Sequence, residues 1–493
     1  MLSAAKPSLI ATARAAGPLV RELPADLETP AGVFLKLSGQ EPSFLLESVE
    51  GGERVARYSF VGVRPQFRYV VRGREIEVIS AEGARTVRVA DGASPLSFLH
   101  EELAGWSQAS HGDAAQAGGL PRFIGGLVGY LGYETVRHFE PRLDAQLRPA
   151  GQPDAIFLLA DTLVAFDHVR HSLFLIAHAL DGDRNAARDK LDALEARLHS
   201  PLPYHAPNGA RRGGNFESNM TQGEFEGLVR TAKEYIAAGE IFQVVLSQRL
   251  ERHTSAQPFE IYRALRRLNP SPYMFFFDFG EIDGQPFHLV GASPEMFVRL
   301  EGRRASLRPI AGTRPRGATP EADDDYERDL AADAKERAEH LMLLDLGRND
   351  LGRVCEYGSV TVPESFAVER YSHVMHLVSR VEGNLRPGLT AFDLVAAAFP
   401  AGTVSGAPKV RAMEIIAELE PDARGPYAGA VGYFSFDGAM DTCLAIRTLT
   451  AHGQTASVQA GAGIVADSDP AREYVETLNK AMAVMKAVEL AEG

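Results

Sequence analysis

Apolar and polar positions follow a different pattern in the first part of the chain than in the rest. Between residues 30 and 100, short runs rich in Val, Ile, Phe and Tyr predict strands, several of them bounded by Gly-containing turns. Residues 155–178 continue this pattern, and residues 183–198 have the charged spacing typical of a helix. The first part should therefore be rich in β-structure and end with a helix.

Residues 199–221 are rich in Pro, Gly and Asn and have no apolar period, which predicts a linker or exposed loop. We therefore expect an N-terminal region over residues 1–198 and a second domain over residues 222–493. The first twenty residues carry two basic residues and no acidic one, a composition that faintly resembles an organellar targeting segment. A short exposed leader is the simpler interpretation.

Helical spacing resumes after the predicted linker, where Thr221 and Glu224 fit a capping box at a helix start. Farther along, apolar patterning predicts strands at 241–250 and 273–279, a helix at 260–268, and one long acidic helix at 323–350. Helices and strands are mixed without a regular βαβ alternation, which favours an α+β fold.

Composition narrows the class of protein. A chain of 493 residues is too long for one ordinary core, so two domains or one large composite unit are expected. The net charge of −14 argues against nucleic acid as the main partner, and no apolar run is long enough to span a membrane. Two cysteines, Cys355 and Cys443, suggest a reducing compartment and a cytoplasmic location.

Two pairs of glutamates are candidates for metal binding. Glu336 and Glu339 are three residues apart, as are Glu473 and Glu476, so on helices each pair shares a face. Carboxylates on two elements suit a hard cation such as Mg²⁺, which prefers oxygen ligands. The spacing alone fits a solvated helix face better.

Two glycine-rich segments, 399–409 and 459–469, leave backbone N–H groups accessible to a carboxylate or phosphate, although ordinary turns are the simpler interpretation of either. Neither segment matches a nucleotide P-loop. Arg447 and Lys480 could bind a carboxylate or form surface ion pairs.

His373 and His376 do not form a zinc motif; either could be a general base or a core histidine. Glu295 follows a Ser-Pro turn. It could be a general acid if it is partly buried, or simply part of a surface turn.

Taken together and in order, the motifs from about residue 220 to 482 resemble those of the chorismate-utilising enzymes, in particular the large aminase subunits (component I) of anthranilate synthases. The resemblance includes GASPEMF, PIAGTRPRG, AKERAEH, LGRNDLGRV, FPAGTVSGAPK, GPYAGAVGYF and QAGAGIVADSDP. It implies an α+β fold described as a two-domain sandwich of large β-sheets flanked by helices. Residues 222–493 would form the chorismate-binding catalytic domain, and residues 1–198 the regulatory region.

The resemblance also implies a reaction, in which chorismate and ammonia give anthranilate and pyruvate in the first committed step of tryptophan biosynthesis. Many relatives that make 4-amino-4-deoxychorismate carry a nucleophilic lysine where this chain has Ala311. Relatives that make isochorismate carry a lysine base where it has Gln243. With neither amine present, direct attack by ammonia remains, and Gln243 could orient it. A simpler interpretation of Ala311, that a small side chain is needed beside a packed loop, is equally compatible with the sequence.

Carried over residue by residue, the resemblance implies three sets of site residues. Mg²⁺ would be bound by Glu339 and Glu476, with Glu336 and Glu473 as water-mediated partners. The catalytic residues would be Glu295, His376, Thr403 and Gln243. Substrate would be bound by Gly312, Thr313, Tyr427, Arg447, Gly461, Ala462, Gly463 and Lys480.

Partners and regulation follow from the same resemblance. The two cysteines do not lie in the sequence setting of a glutaminase nucleophile, so ammonia should come from a separate glutaminase subunit in a hetero-oligomer such as a heterotetramer. Tryptophan should bind and inhibit allosterically at Leu46, Glu47, Ser48, Pro272, Tyr273 and Met274. Two alternatives remain open: a relative that stops at 2-amino-2-deoxyisochorismate, and an inactive tryptophan-sensing subunit.

Overall fold

The computed structural model describes residues 17–39, 41–49, 57–90, 92–110, 119–180, 182–203, 213–371 and 374–493. Most of the first twenty residues, part of the predicted linker and the candidate base His373 lie outside the described residues.

Within these described ranges the chain forms two large antiparallel sheets, and the first has twelve strands. In spatial order, its main path is β1 (Leu19–Pro24), β10 (Ser172–Ala177), β9 (Thr162–Asp167), β3 (Tyr58–Val63), β2 (Ser43–Glu47), β13 (Tyr273–Ile282), β14 (Gln285–Ser293), β23 (Thr448–His452), β24 (Thr455–Ile464), β12 (Gln243–His253) and β11 (Glu217–Ser218). The short strand β20 (Gly406–Ala407) pairs with β12 beside this path.

The second sheet also has twelve antiparallel strands. Its main path is β17 (Ile310–Pro315), β19 (Val374–Asn384), β16 (Arg304–Leu307), β15 (Met296–Glu301), β22 (Met440–Leu444), β21 (Ala430–Ser435), β7 (Gly126–Leu131), β8 (Ala155–Ala160), β4 (Phe67–Arg72), β5 (Glu75–Ser80) and β6 (Gly83–Arg88). Strand β18 (Thr361–Arg370) pairs with β19.

Each sheet combines strands from before and after residues 199–221. In the first sheet Met274 pairs with Glu47, and in the second Gly432 pairs with Gly129. The predicted boundary at residues 199–221 therefore does not divide the chain into two parts with separate sheets. The division into a regulatory and a catalytic region stays a prediction about function.

The two sheets pack face to face around an aromatic core. Alternate residues of β13 point inward, and Phe277 is fully buried there, stacked on Phe279 with ring centroids 5.0 Å apart. Across the interface Tyr130 of β7 meets Phe279 edge-on at 5.6 Å. This alternation buries one face of each sheet and explains the β-rich pattern of the sequence.

Helices cover the outer faces of the sheets. They are α1 (Pro30–Leu37), α2 (Pro95–Ser110), α3 (Arg184–Leu198), α4 (Gln222–Ala237), α5 (Pro258–Leu268), α6 (Pro320–Ala332), α7 (Ala334–Gly352), α8 (Ala391–Ala398), α9 (Lys409–Leu419) and α10 (Pro470–Glu492). Helices α1, α3, α5 and α10 share one apolar cluster with the first sheet. Among the described residues, no helix has both the length and the apolarity needed to cross a membrane.

The α+β prediction is confirmed, as are the strands at 241–250 and 273–279 and the capping box at Thr221. The stretch from residue 30 to 100 is rich in strands as predicted, and it opens with helix α1, which Thr29 caps through the Gly32 amide. One local prediction was wrong. The long acidic helix is two helices, because Asp333 has extended backbone angles and its carboxylate accepts hydrogen bonds from the Lys335 and Glu336 amides.

Replacing Phe277 by alanine should lower the free energy of unfolding by about 3 to 5 kcal/mol, because it leaves a cavity between the sheets. Urea denaturation would measure the change. Tyr357→Ala, at a fully exposed position, is the control and should have little effect. Equal losses in the two variants would contradict a shared core between the sheets.

Candidate active site

A cleft of about 740 Å³ lies where the chain crosses between the sheets. Glu295 lies in the crossing from β14 to β15, and Arg447 in the crossing from β22 to β23. Backbone hydrogen bonds tie the two crossings together: Leu444 N–H donates to Glu295 O at 3.0 Å, and Ala292 N–H donates to Arg447 O at 3.1 Å. The two side chains thus enter the cleft from adjacent, mutually braced segments.

Fifteen of the sixteen residues that the sequence assigned to catalysis, substrate or metal line this one cleft; the exception is Ala462. They come from β12, β17, β19, β24, α7, α10 and the turns between them. Segments far apart in the sequence therefore converge as predicted, and the roles assigned to them remain predictions.

Glu295 has the properties of a general acid. Thr403 Oγ1 donates a hydrogen bond of 2.7 Å to its carboxylate. Burial raises the pKa of Glu295 to about 7, although the Thr403 hydrogen bond and the positive charge of Lys480 act in the opposite direction. A carboxyl group with this pKa is still partly protonated near neutral pH and can deliver its proton to a leaving group.

His376 is held in an orientation that suits proton transfer. Its Nδ1 lies 2.8 Å from Gly312 O and 3.2 Å from the Thr313 hydroxyl. A carbonyl can only accept, so Nδ1 carries the proton in the neutral ring and Nε2 keeps its lone pair. Burial also lowers the pKa of His376, which favours this neutral form.

The four glutamates approach the cleft from two helices. On α7, Glu339 accepts a hydrogen bond of 3.0 Å from Gln243 Nε2. On α10, Glu476 lies 2.7 Å from Lys480 Nζ. Burial raises the pKa of Glu336, as does the negative charge of Glu339. Burial raises the pKa of Glu473 too, and neighbouring Glu476 adds to the shift.

The four carboxylates are oxygen ligands, the type that a hard divalent cation prefers. They lie on two helices that both line the cleft, and within each pair the negative charges repel each other. Within the described part of the chain, however, no three acidic, His or Cys side chains are already grouped closely enough to hold a metal ion. A cation at this site would therefore draw ligands from both helices together with water or substrate.

The neighbours of strand β24 explain why the second glycine-rich segment has glycine at positions 461 and 463. A Cβ at Gly461 would lie 2.7 Å from the Tyr427 hydroxyl, and a Cβ at Gly463 would lie 2.8 Å from Gln243 Nε2. The glycines thus let these two polar side chains approach the strand. The side chain of Ala462 points to the opposite face and is fully buried in the apolar core, so it does not line the cleft as predicted.

Arg447 supplies a positive charge on the opposite wall. Its guanidinium forms no hydrogen bond or ion pair with other residues in the described ranges, and it lies near Tyr427 and Glu476. A free guanidinium in a half-buried position suits a carboxylate ligand. Ala311 also lines the cleft, so a longer side chain at this position would enter it.

Several cleft residues escaped the sequence analysis, notably Lys335, Tyr371, Gln459 and Ser468. Gln459 could have been found, because in a strand it shares a face with Gly461 and Gly463. Lys335 could also have been found, because on a helix it shares a face with Glu339 four residues later. Ser468 lies within the second glycine-rich segment, and Tyr371 has no such pattern.

A second, smaller cavity lies beside the cleft. All six residues that the sequence assigned to tryptophan line it: Leu46, Glu47, Ser48, Pro272, Tyr273 and Met274. Pro272 lines both the cavity and the cleft. Glu47 is buried and accepts hydrogen bonds from Tyr262 and Arg266, and the Ser48 hydroxyl has no partner in the described residues.

Comparison with known proteins identifies the family. A model of the chorismate binding enzymes matches residues 41–486. The chain belongs to the chorismate binding enzyme family. It is 48% identical to anthranilate synthase component 1 of Pseudomonas putida over 96% of both chains, and 46% identical to that of Acinetobacter calcoaceticus over 96% of this chain and 95% of the relative.

Solved structures of chorismate binding enzymes share the fold. Anthranilate synthase component I from Streptococcus pneumoniae is 37% identical, with a TM-score of 0.77 over 94% of this chain and 99% of that one. The menaquinone-specific isochorismate synthase of Escherichia coli is 20% identical, with a TM-score of 0.70 over 97% and 96%. The second likeness concerns the fold alone.

Glu295 should cost stability at neutral and alkaline pH. Its folded pKa of about 7 lies above the unfolded value of about 4.5, so the folded state binds more protons between these values and loses stability as pH rises through them. Glu295→Gln removes this cost. We expect the variant to gain about 1 to 3 kcal/mol over the wild type at pH 8, and little at pH 4. Urea denaturation at both pH values checks this; a difference independent of pH would refute the raised pKa.

Proposed function

We propose that this chain is the chorismate-converting large subunit of an anthranilate synthase, which forms anthranilate and pyruvate from chorismate and ammonia. Its relatives of 45–48% identity bear the name anthranilate synthase component 1. The observation that carries the proposal is the convergence of Glu295, Gln243 and Ala311 on one cleft.

Gln243 and Ala311 are informative because neither side chain is an amine. A glutamine amide cannot take a proton at neutral pH, and alanine cannot attack a ring carbon. With no side-chain nucleophile or lysine base at these positions, ammonia itself attacks carbon 2 of the ring.

Substrate would be oriented at both of its carboxylates. The free Arg447 guanidinium, the Tyr427 hydroxyl and the backbone around Gly461 suit the enolpyruvyl carboxylate. Glu339 and Glu476, with Glu336 and Glu473 behind them, would hold Mg²⁺ near the ring carboxylate. Bound Mg²⁺ would offset negative charge and fix the position of the substrate.

The first step joins ammonia to the ring and expels the hydroxyl group of carbon 4. The new C–N bond forms at carbon 2, the ring double bonds shift, and the C4–O bond breaks. Glu295 gives its proton to the departing oxygen, which leaves as water. Thr403 holds the carboxyl group in position for this transfer through its 2.7 Å hydrogen bond.

The second step breaks the C3–O bond and makes the ring aromatic. A proton leaves carbon 2, and the enolpyruvyl group departs and takes up a proton to become pyruvate. We assign the proton transfer to His376, because its hydrogen bond to Gly312 O keeps Nε2 unprotonated.

Ammonia would come from a glutaminase subunit, since the name component 1 of the relatives implies a second component. The working state would then be a hetero-oligomer. A cytoplasmic location agrees with Cys355 and Cys443, which are buried and unpaired.

The proposal is tested with purified protein, chorismate, Mg²⁺ and ammonium at mildly alkaline pH. We expect a rising anthranilate fluorescence. Consumption of chorismate without fluorescence would indicate a relative that retains the pyruvyl group. Tryptophan binding without any turnover, even with the glutaminase added, would indicate a sensing subunit.

Glu339→Gln should lower kcat by at least about a hundredfold, because a neutral amide binds Mg²⁺ poorly and no longer balances its charge. Anthranilate fluorescence across a Mg²⁺ titration measures the effect. Asp345→Asn, at an exposed position on the same helix, is the matched control and should match the wild type. Wild-type Mg²⁺ dependence in Glu339→Gln would remove Glu339 from the metal site.

We further propose that tryptophan binds in the second cavity and inhibits the enzyme allosterically. Tyr58, Phe60 and Tyr273 supply aromatic walls. Glu47 and the Ser48 hydroxyl, which has no partner among the described residues, supply acceptors for an ammonium group. The shared residue Pro272 brings this cavity next to the cleft.

Ser48→Ala should raise the tryptophan concentration for half-inhibition about three- to tenfold, the effect of losing one hydrogen bond to a charged group. Turnover without tryptophan should not change, because Ser48 does not line the cleft. Inhibition curves for both proteins test this. An unchanged curve would place the ammonium group elsewhere.

A further inference from the structure

A buried arginine behind the cleft plays no part in the chemistry proposed above. Arg424 lies between α9 and β21 and is only 3% exposed. Its guanidinium forms two hydrogen bonds to Glu420, which is equally buried: Nε–Oε2 at 2.8 Å and Nη2–Oε1 at 2.6 Å.

The remaining donors of Arg424 reach two walls of the cleft. Nη1 donates to Val404 O at 2.8 Å, and Nη2 donates to Val245 O at 2.7 Å. Val404 follows Thr403, the partner of the candidate acid, and Val245 lies on β12 two residues after Gln243. One planar cation therefore fixes the turn that carries Thr403 relative to the strand that carries Gln243.

Arg424 also contacts a third wall. Its guanidinium carbon lies 5.5 Å from the centre of the Tyr427 ring and 4.7 Å from that of Tyr133, which the earlier part of the chain supplies. The Arg424 and Gly425 amides donate to the carboxylate of buried Glu134 at 2.8 and 2.9 Å. The segment leading to Tyr427 is thus held at both its side chains and its backbone.

Glu420 extends the network to a fourth wall. Its Oε1 accepts hydrogen bonds of 2.8 Å from both the Ser247 amide and the Ser247 hydroxyl. Gln459 Nε2 donates to the same hydroxyl at 2.8 Å, and Gln459 lines the cleft.

The stability of the fold does not by itself explain why Arg424 and Glu420 form a buried ion pair. Replacing a buried ion pair by apolar residues of similar size is often neutral or stabilising, since the charges lose their hydration. A guanidinium with donors in fixed directions does, however, define the mutual positions of the groups that accept from it.

We propose that Arg424 and Glu420 are positioning residues, which hold Thr403, Gln243, Tyr427 and Gln459 in the arrangement that the reaction needs. The inference rests on the proposed function and deepens it. Neither side chain touches substrate; both act through the walls of the cleft.

The chain contains a matched control. Arg252 and Glu492 form a second buried pair, with Nη2–Oε2 at 2.5 Å and side chains 4% and 1% exposed, against 1% and 3% for Arg424 and Glu420. The control pair links β12 to α10, and neither of its residues lines the cleft.

Arg424→Lys and Arg252→Lys are compared in the chorismate assay and by urea denaturation. Lysine keeps the charge but cannot reproduce the four directed hydrogen bonds of Arg424. We expect both variants to lose stability. Only Arg424→Lys should lose kcat, by about tenfold to a hundredfold with KM changed less than about threefold, as expected for misplaced catalytic groups. Equal kcat in the two variants would overturn the proposal.

Hydrogen exchange followed by mass spectrometry gives a readout that does not need activity. Residues 402–405 should exchange faster in Arg424→Lys than in the wild type, and at the wild-type rate in Arg252→Lys. Unchanged exchange in both would overturn the positioning role. If the wild type forms no anthranilate, the proposed function fails. The exchange rates of residues 402–405 still test whether Arg424 holds this turn in place.

A milder pair of variants covers the case in which Arg424→Lys does not fold. Glu420→Gln keeps the shape of the side chain and an oxygen for Ser247 but weakens its bonds to Arg424, and Glu492→Gln is its counterpart. The same pattern of kcat loss and faster exchange is expected for Glu420→Gln alone. Identical behaviour of the two glutamine variants would count against the proposal.

Discussion

Everything in the cleft depends on how the chain passes between two sheets packed face to face. The sheets bury a continuous aromatic core, so polar side chains are favoured at its edge, near strand ends, in the crossings between the sheets and on flanking helices. Glu295 and Arg447 lie at two such crossings, which are hydrogen-bonded to each other. An acid and a cation are thereby fixed at the edge of the core, where the backbone of both sheets restrains them.

Charge in this cleft is compensated in some places and left uncompensated in others. Glu476 is paired with Lys480, and Glu339 accepts from an amide. Glu295 has one neutral hydroxyl as its hydrogen-bond donor, and Arg447 has no partner within the described ranges. Lys480 and the Gln243 amide thus orient the two glutamates that are proposed to bind Mg²⁺. Glu295 has no ion pair within the described ranges, and its pKa is raised to about 7, while Arg447 keeps free donors for a carboxylate. These properties suit the roles that the proposed reaction assigns to the two residues.

Local pattern predicted much of the fold, the family resemblance predicted nearly all of the cleft, and the errors have identifiable causes. Side chains alternate between the two faces of strand β24, so Gly461 and Gly463 line the cleft while the side chain of Ala462 points away from it. The prediction from the motif took all three residues together and ignored this alternation. Asp333 interrupts an apparently continuous helix because its carboxylate caps the following one. Arg424 could not be assigned a role from sequence at all, since its partners Val245 and Val404 are 179 and 20 residues away.

The position of the second cavity gives a physical route for the proposed regulation. Three neighbouring strands connect it to the cleft: Glu47 on β2 pairs with Met274 on β13, and Tyr273 on β13 pairs with Ser293 on β14, two residues before Glu295. A ligand in the cavity changes affinity in the cleft only if it prefers one of two arrangements of these strands. Because Met274 and Tyr273 are adjacent in one strand, a shift of β13 would be passed through Tyr273 and Ser293 to the strand end before Glu295. Under the proposed regulation, Glu295 would thus respond to occupancy of the cavity.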